Sequence, residues 1–346
     1  MYCPSPIASS ISAIPRARGR VVREWKYWTR NKLQILAGYL PAFNVASQRS
    51  PERLYVDLMA GDPVNRDRDT HEEFDGSARL ALAATPGFTR LAFCEKESRK
   101  AAALRSDLSK QFPGDRRYHV YEGDCNVTIE QVLHHLRGWR WAPTFAFVDQ
   151  QAAEAHWATL EKLAAFRLGP RKTEIWILAS PAMITKGVHG TRGDAFAERV
   201  DGLYGTDDWR RIQAARDADQ ITADEYRDEM VNLIRWRLQT VLGYAITERI
   251  PMHMLSGMAV YDMVFATDHP VGRKIMTHLY RAAAEREPNM MAEIEQLARD
   301  RMLEERGTMT LFDAEPFKEA VDDTTFPQWT STEPWDPASR VWWENR

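Results

Sequence analysis

Cysteine is scarce in this sequence of 346 residues, which contains only Cys3, Cys94 and Cys125. Their odd number and wide spacing argue against a disulfide framework and against a CxxC metal ribbon. Few and scattered thiols are typical of a reducing compartment, so we expect a cytoplasmic protein.

Long apolar runs are also missing. No stretch reaches the roughly 18 uninterrupted apolar residues of a membrane-spanning helix, because charges or prolines interrupt every candidate. The composition is otherwise that of an ordinary globular protein, with 44% hydrophobic and 27% charged residues. We therefore expect no membrane segment.

An excess of positive charge is absent, since the formal net charge is −3. Binding of nucleic acid would therefore need a local basic patch. One such patch lies between residues 16 and 32, where the cations alternate with Trp25, Tyr27 and Trp28. The cations predicted to grip phosphates are Arg18, Arg20, Arg23 and Lys26. The alternative is a solvated arm followed by an amphipathic first helix.

Several catalytic signatures are not found. The sequence has no Ser-His-Asp order, no HExxH helix and no P-loop. Its nine histidines do not cluster with carboxylates at metal-ligand spacing. We expect no metal.

What the sequence does contain is an alternation of short apolar runs with helical stretches, beginning at residue 54. This pattern predicts a doubly wound, mostly parallel α/β sheet of seven strands, with the last two strands forming an antiparallel hairpin at one edge. Such a sheet suits the class I S-adenosylmethionine methyltransferase fold. The predicted strands are Leu54 to Met59, Arg90 to Cys94, Tyr118 to Tyr121, Phe145 to Val148, Glu174 to Leu178, Tyr244 to Glu248 and Tyr261 to Ala266.

The chain divides into five predicted regions. They are a basic arm and first helix (1–50), a nucleotide-binding α/β core (51–189), a helical insertion (190–242), a segment that completes the sheet and adds two helices (243–306) and a tail rich in Trp and Pro (307–346). The insertion follows the carboxyl end of a strand, where open α/β sheets bind ligands. It is therefore either a substrate lid or a helical buttress. The tryptophans of the tail are expected to pack on the body of the protein.

Acids stand at the ends of three consecutive predicted strands. Asp57 closes the first strand before the small residues Ala60 and Gly61, and a glycine there lets the backbone approach a ligand. Glu95 ends the second strand, where an acid commonly accepts hydrogen bonds from ribose hydroxyls. We predict a nucleotide cofactor site from these residues, although a structural turn and a solvated helix start would also explain them.

The third strand end carries Asp124 and Cys125. Asp124 can accept a hydrogen bond from the exocyclic amine of adenine, but it also suits the N-cap of a helix. The fourth strand ends in Asp149 and Gln150. There a carboxylate can bind or deprotonate an amine that is being methylated, and an amide can orient it, so both residues are predicted to be catalytic.

The ordered set of these motifs resembles the three-Cys-motif partner protein (TcmP) family, which is methyltransferase-like. The resemblance covers nearly the whole chain. Its motifs are the first helix ending in Gly38-Tyr39-Leu40, Tyr55-Val56-Asp57-Leu58-Met59-Ala60-Gly61, Phe74-Asp75-Gly76-Ser77, Phe93-Cys94-Glu95, Gly123-Asp124-Cys125-Asn126, Phe147-Val148-Asp149, the helix from Trp157 to Ala164, and the stretch from Tyr261 to Pro270. The resemblance implies a nucleotide-binding methyltransferase fold and a partner that carries a three-cysteine motif.

Two elements depart from the pattern of that family. Asp62 and Pro63 follow Gly61 where the family has proline and glycine, and Gln150 and Gln151 follow Asp149 where it has proline and an aromatic residue. That aromatic would stack on a flipped base, and Trp157 is the nearest substitute. We therefore expect an S-adenosylmethionine-dependent methyltransferase acting on a nucleic acid or nucleotide amine. The alternative is a catalytically degenerate partner subunit of a three-cysteine-motif protein.

Overall fold

A computed structural model describes residues 24–305 and 329–344. It contains a seven-stranded sheet and a separate three-stranded sheet. In chain order the strands are β1 (Glu24–Trp25), β2 (Leu54–Asp57), β3 (Val64–Asp67), β4 (Glu73–Asp75), β5 (Arg90–Glu95), β6 (Tyr118–Glu122), β7 (Thr144–Val148), β8 (Glu174–Ala179), β9 (Ile246–His253) and β10 (Ala259–Thr267).

The large sheet has the strand order β6-β5-β2-β7-β8-β10-β9. Its first five strands are parallel, while β10 runs antiparallel to both β8 and β9. This is the topology of class I S-adenosylmethionine-dependent methyltransferases, and it confirms the predicted fold and the predicted edge hairpin. The order reverses direction at β2 and β7, so a crevice opens beyond the carboxyl ends of these two strands.

The small sheet was not predicted. It consists of β1, β3 and β4, and it is formed by the loop that follows β2 together with the segment that precedes the first helix. Its strands are two to four residues long, so they carry no alternation pattern long enough to read from the sequence. The sheet holds the post-β2 loop next to the start of the first helix.

Helices cover both faces of the large sheet. They are α1 (Tyr27–Ala46), α2 (Ser77–Ala83), α3 (Ser98–Gln111), α4 (Cys125–Leu136), α5 (Trp157–Phe166), α6 (Pro181–Val188), α7 (Gly193–Tyr204), α8 (Trp209–Asp217), α9 (Ala223–Thr240) and α10 (Pro270–Glu305). One apolar core contains residues of α4, α5 and α6 to α9, and the other contains residues of α1, α2, α3 and α10. The sheet therefore separates two cores, as in a doubly wound fold.

The segment predicted as an insertion, 190–242, forms α7, α8 and α9. Its side chains Val200, Trp209, Ile212 and Met230 are buried in the first of the two cores, and α9 packs against β9 and β10. None of its residues lines the cavity described below. The packing is that of the buttress and not of the lid.

The segment after β10 differs from prediction. Two helices were expected, at Pro270 to Arg286 and Met290 to Arg306, but the structure has the single helix α10 with Pro288 inside it. Proline lacks an N–H donor and normally ends or kinks a helix. Here Met290, Met291 and Ile294 are buried beside Tyr27 of α1. We attribute the continuation of the helix past the proline to this tertiary packing.

The C-terminal segment 329–344, which we call the strap, lies against β9 and α9. Trp329 donates a hydrogen bond to the carbonyl oxygen of Arg249 (2.8 Å), and Trp335 donates one to Glu229 (2.9 Å). Trp342 and Trp343 pack against the first core. The tail tryptophans pack on the body as predicted.

Candidate functional site

A cavity of about 550 Å³ opens at the carboxyl ends of the parallel strands. Its wall contains Leu58 to Asp62 after β2, Glu95 to Glu97 after β5, Asp124 and Cys125 after β6, and Asp149 to Gln151 after β7. The tertiary structure therefore brings the predicted strand ends to a single cavity.

The loop after β2 is held against the end of β5. The N–H of Ala60 donates to the carbonyl oxygen of Cys94 (2.8 Å), and the N–H of Gly61 donates to Glu95 Oε2 (3.0 Å). Gly61 has φ +61°, a conformation that favours glycine. The loop then folds back over Gly76, where an added Cβ would lie 2.3 Å from the carbonyl oxygen of Asp62. Its path into the small sheet thus requires a glycine at both positions.

Glu95 is almost fully buried at the cavity wall. One carboxylate oxygen accepts the Gly61 N–H, and the other accepts the N–H of Glu97 (2.8 Å). A carboxylate oxygen can accept two hydrogen bonds. Each oxygen of Glu95 therefore retains acceptor capacity for a ligand hydroxyl while its orientation is held by the backbone.

Asp57 is placed differently from the prediction. Its side chain is fully buried and is not part of the cavity wall. It accepts hydrogen bonds from the N–H of Met59 (3.1 Å) and from the hydroxyl of Tyr55 (3.3 Å). Burial raises the pKa of Asp57 to about 7. Asp57 therefore stabilises the loop after β2 through the N–H of Met59, and its side chain is not part of the cavity wall.

Asp124 caps α4 by accepting the N–H of Asn126 (3.0 Å), and it forms an ion pair with Lys96 (2.8 Å). Burial alone would raise the pKa of Asp124, but the hydrogen bonds and the charge of Lys96 hold it below its usual value. Capping uses Oδ1, whereas Oδ2 faces the flexible Lys96. The neighbouring Cys125 also lines the cavity, and burial raises the pKa of its thiol to about 12. Asp124 is therefore the N-cap of α4 and also lines the cavity.

Asp149 is bound by a lysine that was not predicted as a site residue. Lys32 Nζ lies 2.5 Å from Asp149 Oδ1 and 2.6 Å from Oδ2, and it also lies 5.4 Å from the centre of the Tyr261 ring. The Lys32 side chain is 5% exposed and that of Asp149 is 24% exposed. The carboxylate predicted to receive an acceptor amine already holds an ammonium group.

Gln150, which was predicted to orient the acceptor, lies at the cavity wall with its side chain bound within the protein. Its Oε1 accepts the N–H groups of Glu154 (3.2 Å) and Ala155 (3.1 Å), and its Nε2 donates to the carbonyl oxygen of Leu178 (2.9 Å). The side chain is 1% exposed. Both lone pairs of the amide oxygen are in use, so Gln150 shapes the loop after β7.

Trp157, the predicted substitute for the missing aromatic residue, is in the first core and not in the cavity wall. The aromatic residues that do line the cavity are Trp25, Trp28 and Tyr261. Trp25 and Trp28 belong to the basic and aromatic segment 16–32, so the described part of that segment borders the site. Lys26 Nζ lies 5.0 Å from the centre of the Trp28 ring. The other predicted phosphate contacts, Arg18, Arg20 and Arg23, are outside the described residues.

A sequence signal for Lys32 exists in retrospect. Lys32, Leu36, Tyr39 and Phe43 recur at helical spacing and form one buried stripe of α1. A lysine on an apolar stripe needs a buried partner, because a lone buried charge is costly. The basic residues around it obscured this signal, and the identity of its partner depends on the tertiary structure.

Residues 24–305 and 329–344 contain neither a candidate metal site nor a candidate membrane-spanning helix. No group of three or more His, Cys, Asp or Glu side chains there is arranged to hold a metal ion. Within those same ranges, none of the helices combines the length and the apolar character needed to cross a bilayer.

Comparison with known proteins finds no match to a family model and none to a curated protein. Solved structures do match. A Legionella pneumophila protein of the DUF519 family aligns with 71% of this chain and 88% of its own, at 10% identity and a TM-score of 0.42. Human methyltransferase-like protein 13 in complex with SAH aligns with 73% and 91%, at 13% identity and a TM-score of 0.36. M. jannaschii TYW2 in complex with AdoMet aligns with 66% and 75%, at 10% identity and a TM-score of 0.32. The fold assignment rests on the strand order and not on these distant likenesses.

Proposed function

We propose that this protein binds S-adenosylmethionine in the cavity at the carboxyl ends of β2, β5, β6 and β7, and transfers its methyl group to an amine of a nucleic acid or nucleotide. The observation that carries the proposal is the convergence of Glu95 and Asp124 on one cavity within a class I methyltransferase topology. S-adenosylmethionine supplies an electrophilic methyl group when bound. The chain itself supplies the binding groups and the surroundings of the acceptor.

The residues present fit a nucleoside. A volume of about 550 Å³ lies within the range of about 300 to 1,000 Å³ for small-molecule sites. The retained acceptor capacity of Glu95 suits the two hydroxyls of a ribose, and Asp124 suits an exocyclic amine. Apolar groups such as Leu58, Met59 and Met183 line the same cavity and can contact a planar base.

The acceptor side of the cavity is formed by Asp149, Lys32 and three aromatic rings. Trp28 is half-buried, lines the cavity and comes from the segment predicted to contact nucleic acid. A planar base can stack on such a ring, which supplies the function of the aromatic residue missing after Asp149. An amine that reaches the Asp149 carboxylate would share it with Lys32, since each oxygen can accept a second hydrogen bond.

One observation favours a second candidate, the catalytically degenerate partner subunit of a three-cysteine-motif protein. The two residues predicted to act on the acceptor are engaged within the protein, Asp149 by Lys32 and Gln150 by backbone groups. In this candidate the cavity binds S-adenosylmethionine as a structural ligand, and the partner carries the activity.

Both candidate functions require that S-adenosylmethionine binds in the cavity, and isothermal titration tests this binding. We expect wild type to bind and Glu95→Gln to bind at least about tenfold more weakly, since one acceptor oxygen is replaced by a donor. The matched control is Glu122→Gln, because Glu122 pairs with Glu95 in the β5–β6 register but is outside the cavity wall. Absence of binding by wild type, or an equal loss in both variants, would contradict the proposal.

Turnover separates the two candidates. Transfer of a tritium-labelled methyl group to total RNA or DNA by the purified chain, lost in Asp149→Ala, supports the enzyme. Binding of S-adenosylmethionine without any transfer supports the partner subunit.

A further inference from the structure

The end of the sheet opposite the cavity carries a row of arginines. All five parallel strands begin at this end, and each has an arginine at its start or a few residues before it, namely Arg117, Arg90, Arg53, Arg140 and Arg171 in sheet order. Four interstrand spacings of about 4.8 Å make the row about 19 Å wide. Backbone hydrogen bonds join the starts of neighbouring strands, from the N–H of Leu91 to the carbonyl oxygen of Arg117, from Thr89 to Arg53 and from Leu54 to Pro143.

Most of these cations are not neutralised. Three acids at the surface of this end are each paired with a cation, Glu52 with Arg90, Asp115 with Arg117, and Asp268 with Lys172. In the described ranges, seven further arginines here have no ion pair within 4.0 Å. They are Arg49, Arg53, Arg116, Arg137, Arg140, Arg167 and Arg171.

Helix dipoles do not cancel this charge. The C-termini of α1, α2, α3, α4, α5 and α9 point to the same end of the sheet, because each of these helices runs antiparallel to the strand that follows it. Each C-terminus contributes about −0.5 of an elementary charge, or about −3 in total. Arg140 does cap α5, donating to the carbonyl oxygens of Phe166 (2.6 Å) and Ala165 (3.2 Å). About four positive charges remain at this end of a molecule whose net charge is −3.

An exposed aromatic ring lies among these cations. Trp141 is 46% exposed and Leu168 is 59% exposed. The Arg167 guanidinium donates to the carbonyl oxygen of Trp141 (3.4 Å), and the N–H of Leu168 donates to that of Arg140 (2.8 Å). The backbone of Trp141 is therefore held by Arg167, while nearly half of its side chain is open to solvent.

We propose that this surface, which we call the basic end, binds single-stranded nucleic acid. Arginine forks suit phosphate oxygens, and an exposed tryptophan offers a stacking platform for an unpaired base, as in single-strand binding proteins. An acidic polypeptide would satisfy the charges but would leave Trp141 without a role. The proposal does not depend on methyl transfer, since the basic end and the cavity are at opposite ends of the strands.

Fluorescence anisotropy with labelled oligouridine and oligothymidine of about 20 nucleotides tests the proposal on the full chain. The variant Arg137→Glu/Arg171→Glu changes two exposed arginines of the basic end. It should weaken binding at least about tenfold and reduce the slope of log K against log salt by about 1.4, because two phosphate contacts are lost. The matched control Arg192→Glu/Arg281→Glu makes the same charge change at two exposed arginines elsewhere, and it should alter affinity less than about twofold.

A second variant examines the stacking. Trp141→Ala should weaken binding by about fivefold or more, with an unchanged thermal unfolding curve. An equal loss in the two charge variants would overturn the proposal, because it would reveal a dependence on net charge alone. Equal competition by polyglutamate combined with no effect of Trp141→Ala would also overturn it in favour of an acidic protein partner. Tighter binding to duplex than to single strands would exclude the stacking role.

Discussion

At the scale of single residues, the acids at the strand ends have three different functions although they share one sequence context. Glu95 binds two backbone N–H groups and still faces the cavity, Asp57 is enclosed beneath it, and Asp149 is paired with Lys32. The differences follow from which neighbours reach each carboxylate. Backbone N–H groups orient Glu95, whereas a buried ammonium group orients Asp149.

Asp57 gives a prediction on pH. Its pKa is about 7 in the folded protein because of burial, against an ordinary value of 3.8. Between these two values the folded state binds one proton more than the unfolded state, so Asp57 lowers stability as the pH rises from about 4 to about 7. Urea unfolding across this interval should show the free energy of unfolding of wild type falling relative to Asp57→Asn, by up to about 1.4 kcal/mol per pH unit.

Asparagine is the appropriate replacement because its amide oxygen can still accept the Met59 N–H. Parallel curves for wild type and Asp57→Asn over this range would show that the carboxyl is not held in the protonated form by burial.

At the scale of elements, the strap provides partners for buried polar and charged side chains of α9. Arg340 forms an ion pair with Glu229 (2.6 Å), and Asn232 exchanges two hydrogen bonds of 2.9 Å with the backbone of Trp335. Arg235 donates to the hydroxyl of Thr332 (3.1 Å) and to its carbonyl oxygen. Three polar side chains of α9 are thus satisfied by a segment distant in sequence.

Removal of the strap should therefore destabilise the fold. A chain that ends at residue 328 loses these hydrogen bonds and the packing of Trp329 and Trp335. We expect its free energy of unfolding in urea to fall by about 2 kcal/mol or more, even though water replaces some of the lost partners. A chain that ends at residue 344 is the control and should match wild type. Equal stability of both chains would show that the strap contributes nothing to the fold.

At the scale of the whole molecule, charge is polarised along the strands. The starts of the parallel strands carry the arginine row, whereas at their carboxyl ends Glu122 and Asp149 are paired with Arg105 and Lys32. The polarity arises because parallel strands place all their starts on one side and all their ends on the other. Small sequence preferences at the starts of five strands thus add up to one basic end.

Cys94 and Cys125 are both buried, so the rate at which a reagent modifies each thiol measures how often the fold opens around it. Burial raises the pKa of each thiol, Cys94 and Cys125, to about 12, and thiolate is the reactive form. In a Cys3→Ser variant we expect iodoacetamide to modify both residues far more slowly than a free thiol. Cys125 should react before Cys94, because it lines the cavity whereas Cys94 is fully enclosed. Peptide mass spectrometry measures both rates, and similar rates in urea provide the control. Faster modification of Cys94 would contradict the packing described here.

Much of the fold was predictable because it depends on local patterns. Five apolar runs separated by helical stretches predict parallel strands, and the absence of a crossover helix before the last strand predicts the hairpin. The small sheet of β1, β3 and β4 was not predictable, since strands of two to four residues have no usable period. Neither was the continuity of α10, where contacts with Tyr27 outweigh the local effect of Pro288.

The site divides in the same way. The sequence by itself determined that acids close four strands and that a glycine-containing loop follows the first, because these are properties of consecutive residues. Only the tertiary structure decided that Lys32 pairs with Asp149, that Gln150 serves its own loop, and that Trp28 and not Trp157 lines the cavity. The contact between Lys32 and Asp149 joins residues 117 positions apart, and it depends on how α1 docks on the sheet, which no local pattern encodes.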